Sequence, residues 1–122
     1  MNFKTTSLAT VLLCATLAAP SAAVAAGSLT PAQQFKLRCA TAFAFVAVAQ
    51  ERNDPRGANY PPMEERGREY FLRAVHGAME GAGMTEEETR VALTAEAKAL
   101  AEPEALDKAM PLCLKSLEAS GL

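Results

Sequence analysis

A chain with no isoleucine, four valines after residue 27 and eighteen alanines in that same span has little from which to build a β-sheet. β-Branched and aromatic side chains fill pleated surfaces, whereas alanine loses least on entering a helix. The expected fold is therefore all-α, and capping signals delimit four helices. Thr30-Pro31-Ala32-Gln33 supplies an N-cap hydroxyl, proline at the first helical position and a capping-box glutamine. The helix it opens carries Phe35, Cys39, Ala42, Phe43, Val46 and Gln50 at helical spacing. From Cys39 to Ala49 only Thr41 is polar, so apolar groups surround this helix instead of lining one stripe. Such a helix belongs at the centre of a bundle. Three neighbours in a small domain leave part of it uncovered, for a dimer contact or a ligand groove.

Glu51 to Pro62 contains Asn53-Asp54-Pro55, Gly57 and a proline pair, and is expected to be an irregular loop. A second helix should run from Met63 to Ala82, with Tyr70, Phe71, Ala74, Val75, Ala78 and Met79 on its apolar side. Glu64 with Arg68 and Glu69 with Arg73 form i, i+4 pairs on its wet side. Close approach of another helix would account for its glycines, Gly67 among them, and Gly81-Ala82-Gly83 marks its end. Thr85-Glu86-Glu87-Glu88 is a second capping box, with acids where the helix dipole favours them, and opens a third helix reaching about Ala101. Pro103 should stand in the first turn of the fourth, whose apolar face is Leu106, Met110, Cys113, Leu114 and Leu117. Pro111 within it should kink or restart the helix, and Gly121 followed by Leu122 should close it with a left-handed cap.

Residues 1–26 read as a cleavable signal peptide. Lys4 is followed by the apolar run Leu8 to Ala19, which is shorter than the roughly 20 residues a spanning helix needs. Ala23-Val24-Ala25 and Val24-Ala25-Ala26 both fit the small-x-small rule, which puts cleavage after Ala25 or Ala26. Cys14 does not suit lipoprotein processing, because Leu13 precedes it. The expected product is one helical domain, 27–122, exported to the periplasm or secreted, without a stable membrane span. Export leaves two cysteines, Cys39 and Cys113, in an oxidising compartment, where one disulfide tying the first helix to the last is the simplest outcome. A domain near the lower size limit of a self-sufficient core needs such a staple.

Residues 27–122 carry 11 basic and 14 acidic side chains, a balance that gives no reason to expect nucleic acid. His76 is the only histidine, and with both thiols bonded to each other too few nitrogen and sulfur ligands remain for zinc. The serines in this span are Ser28, Ser116 and Ser120, none in a Gly-x-Ser-x-Gly turn. Glu64, Glu65 and Glu69 cluster beside arginines and read as salt-bridged surface, and neither a phosphate loop nor Cys-x-x-Cys is present. No catalytic, cofactor-binding or metal-binding residue is therefore assigned, and an enzyme is not expected. The densest group of arginines and aromatics, Arg52, Arg56, Tyr60, Arg66, Arg68, Tyr70 and Arg73, is a candidate partner-binding patch. The expected function is a non-enzymatic binding or interaction protein of the cell envelope. It would take a protein partner or a small apolar ligand through this patch or the surplus apolar surface of the first helix, with a homodimer as a further option. The alternatives are a periplasmic acid or stress chaperone, loosened when its carboxylates protonate and its bases repel one another, and, third, an enzyme.

Overall fold

A computed structural model describes residues 27–122, so the expected signal segment, with Lys4 and Cys14, lies outside the described residues. Five helices and no strand are present among them: α1 (Pro31–Glu51), α2 (Pro55–Ala58), α3 (Arg66–His76), α4 (Glu86–Leu100) and α5 (Ala105–Ala119). The last turn of α3 widens into a π-helical segment, Gly77–Gly81.

Both expected capping boxes form. Thr30 Oγ1 accepts from the Gln33 backbone N–H, and Gln33 Oε1 accepts from Thr30 N–H in return. The Gln33 amide then donates to the Gly77 carbonyl at 3.3 Å, so a local cap also fastens the start of α1 to the end of α3. Thr85 and Glu88 exchange the same pair of bonds at the start of α4.

Helix α1 is central: α2, α3, α4 and α5 all pack on it. Its buried residues, Leu37, Cys39, Ala40, Thr41, Ala42, Phe43, Val46 and Ala49, face several directions, as the uninterrupted apolar run implies. Around it Met63, Tyr70, Ala74, Ala78, Leu100, Met110, Cys113 and Leu117 complete the core. Phe43 and Tyr70 meet edge to face at 5.1 Å between ring centroids, and the Tyr70 hydroxyl hydrogen-bonds Ser116 Oγ at 2.6 Å. Gly67 lets α3 close on α1, because a Cβ there would stand 3.1 Å from the Cβ atoms of both Phe43 and Met63. Cys39 and Cys113 form the expected disulfide, with Cα atoms 5.1 Å apart, joining α1 to α5 inside the core. No helix among the described residues is long and apolar enough to cross a membrane.

Several boundaries differ from the sequence reading. The segment Glu51 to Pro62 is not irregular throughout: Asp54 caps a single turn, α2, by accepting from Arg56 N–H, and Pro55 stands at its first position. Helix α3 begins at Arg66 rather than Met63, and the Met63 N–H ahead of it donates to Gln50 Oε1. It ends as expected at Gly81, and Gly83 adopts φ +67°. Pro103 lies before α5, not in its first turn, because Glu104 turns left-handed (φ 62°) and the helical run can start only after it. Pro111 sits inside α5 without ending it. Both Pro111 and Asp107, whose carbonyl loses its donor, face solvent, so water can take the missing bond. The Glu64–Arg68 pair does not form, whereas Glu69 does pair with Arg73. At the C-terminal end Gly121 takes the expected left-handed conformation (φ 76°).

Candidate functional site

The side chains that α1 cannot bury line a groove of about 820 Å³ between α1 and the first half of α3. Ala44, Ala47, Val48 and Glu51 come from α1; Glu64, Gly67, Arg68 and Phe71 face them from the α3 side. Each set follows the i, i+3, i+4, i+7 spacing of one helical face. Phe43 and Met63 form the floor, and the absence of any large side chain at 44, 47 and 67 is what leaves the space open. Val48 is 42% exposed although it is apolar, as is Leu72 on α3, at 56%.

Gln50 closes one end of this groove and is the residue the sequence reading undervalued. Its amide nitrogen lies 3.1 Å from the carbonyls of Gly57 and Tyr60 and 2.9 Å from that of Pro61. Its oxygen accepts from Met63 N–H at 3.0 Å. One side chain thus holds the whole α2–α3 connection against α1, and a glutamine at an otherwise apolar register was the available signal. Gly57 completes the fit, since a Cβ there would lie 2.7 Å from the Gln50 backbone nitrogen. Replacing Gln50 by leucine should strand several backbone groups and cost about 1–3 kcal/mol. Amide hydrogen exchange localised to residues 57–63 would report it, and unchanged exchange there would refute this role for Gln50.

The arginine–aromatic group is dispersed rather than gathered. Arg56 pairs with Asp54 at 2.7 Å and holds that carboxyl down at about 2. Tyr60 donates to Asp107 on α5, and burial together with that carboxylate pushes its hydroxyl up to about 12. Arg66 binds Glu118 at 2.8 Å and the Leu122 backbone oxygen at 2.5 Å, and Arg73 reaches the Ser120 carbonyl, so both fasten the end of α5 to α3. Tyr70 lies inside the core. Arg52 and Arg68 are the two members without an ion pair among the described residues, and only Arg68 reaches the groove.

Elsewhere, Glu96 on α4 is buried and receives the Arg38 guanidinium from α1 at 2.8 Å, a link between helices that the sequence did not announce. A smaller hollow of about 370 Å³ lies between α1 and the α4–α5 corner, over Phe35, Leu100, Leu112 and Cys113. His76 is exposed at the end of α3. Among the described residues no group of three or more His, Cys, Asp or Glu side chains stands close enough to hold a metal ion. No family model, curated protein or solved structure matches the chain.

Proposed function

We propose that this chain is a non-enzymatic binding protein of the cell envelope, exported to the periplasm or secreted, and that its binding site is the α1–α3 groove. The observation that carries this reading is the line Ala44, Ala47, Val48: apolar side chains of the central helix that line the groove, with Ala44 and Val48 exposed and Ala47 half-buried between them. Water against such a surface is unfavourable, by about 25 cal/mol for each Å² that a ligand would remove from solvent. The groove exists in the folded bundle, so binding through it needs no prior loosening. Arg56, Arg66, Arg73 and Tyr70 are engaged within the fold, which favours the groove over the arginine–aromatic group as the site.

The test fills the groove from its α1 wall. Ala47→Trp should weaken binding of an environment-sensitive apolar dye at least about tenfold, while Val91→Trp, on the exposed side of α4, should leave it unchanged. Far-UV circular dichroism would verify that both variants stay helical. Equal dye affinity for Ala47→Trp and the parent protein would remove this reading. Dye binding that appears only on acidification would instead favour the chaperone alternative.

A further inference from the structure

We infer that the occupant of the α1–α3 groove is an amphipathic helix of a partner protein, carrying a cationic side chain toward the Glu51–Glu64 end and an anionic one toward Arg68. The inference rests on the groove being the binding site and adds which partner it takes.

The first argument is shape. Both walls are helices, and each presents an i, i+3, i+4, i+7 row, the pattern into which the ridge of a further helix packs. Small residues at 44, 47 and 67 allow the axis of an added helix to approach within about 8–10 Å of its neighbours. A small molecule is ordinarily enclosed over most of its surface. This hollow is instead open along one side, and Leu72, one turn beyond Arg68 on α3, is exposed. An elongated ligand with one apolar face fits that form.

The second argument is charge. α3 runs antiparallel to α1 here: Gly67 lies against Phe43, while Gln50, two turns later in α1, binds Met63, earlier in the chain than Gly67. Glu51 and Glu64 therefore belong to the same end of the groove, and Arg68 lies one turn of α3 farther toward Phe71. All three are exposed at the rim, and none forms an ion pair among the described residues. A rim with two acids at one end and a base farther along selects a ligand of complementary order, since like charges brought together are rejected.

The experiment uses three synthetic helices of about four turns that share one leucine–alanine face. One carries a lysine at one end of its rim positions and a glutamate about one turn away, one carries glutamate at both positions, and one lysine at both. Fluorescence anisotropy with the oxidised protein should show the mixed-charge helix binding at least about tenfold more tightly than the all-glutamate helix. The all-lysine helix should fall between them, because it satisfies the two acids and opposes Arg68. In the double variant Glu51→Lys with Glu64→Lys the order should change, with the all-glutamate helix now tightest, the mixed-charge helix between and the all-lysine helix weakest. Equal affinities, or a ranking unchanged in the double variant, would overturn the charge assignment. If no helix binds while the apolar dye and dodecyl maltoside still do, the helical partner is refuted and the groove stands as a small-ligand site. If nothing binds, both readings fall together.

Discussion

Replacing Cys39 and Cys113 together by alanine is expected to remove about 4 kcal/mol of stability. The bridge joins residues separated by 74 positions, so it holds most of the described chain in one closed loop. In the chain-entropy account the benefit grows with the logarithm of loop length, because the cross-link removes open conformations from the unfolded ensemble. Net stabilities of small domains are about 5–15 kcal/mol, so the loss is a large share of the total. Alanine is the right replacement because both sites are fully buried and a hydroxyl there would lack a partner. Urea unfolding of parent and variant would measure the difference, and the melting midpoint should fall by about 15 °C or more. A midpoint within a few degrees of the parent would mean that α1 and α5 hold together by packing alone.

Phe43→Ala should cost about 3–5 kcal/mol, and its consequence reaches the groove. The ring is fully buried, meets Tyr70 edge to face, and has its Cβ against the space that Gly67 leaves. α1 and α3 cannot simply move together to fill the void. Their separation is already set by contact at Gly67 on one side and by the Gln50 bonds to the α2–α3 connection on the other. The cavity should therefore persist, and its size adds to the lost transfer free energy. Phe45→Ala, at a half-buried position on the same helix, serves as the comparison and should cost clearly less. Equal losses would show that the α1–α3 contact is not the centre of the core. Combined with removal of the disulfide, Phe43→Ala should leave the chain unfolded at 25 °C, since the two losses together approach or exceed the stability of a domain this small.

Both expectations start from features visible before any coordinates. The cysteine pair followed from two thiols on the apolar sides of the first and last helices, and the bond forms there. The start of α1 at Thr30, the start of α4 at Thr85 and the left-handed end at Gly121 were legible because capping is local chemistry, decided within three or four residues. Boundaries that depend on distant partners were not. Gln50, from inside α1, takes the Met63 N–H and so ties the residues ahead of α3 to α1, and Asp54 draws the supposed loop into one helical turn by accepting from Arg56. Arginines close in sequence were expected to share a surface, but Arg56, Arg66 and Arg73 each found an acid or carbonyl of its own while Arg68 stayed at the groove rim, so the group is dispersed.

The sequence alone determined that the chain is helical, that α1 is apolar on all sides, and that Cys39 and Cys113 stand where one bridge can tie the ends of the bundle. These properties reside in composition, in the 3.6-residue period and in local caps, none of which needs knowledge of neighbours. Only the tertiary structure decided which face of α1 remains uncovered. A helix that is apolar all round gives no preference among its faces, so the choice falls to the helices packed on it. Gly67 brings α3 against Phe43, Gln50 fixes the angle of the connection, and the face at Ala44, Ala47 and Val48 is what they leave open.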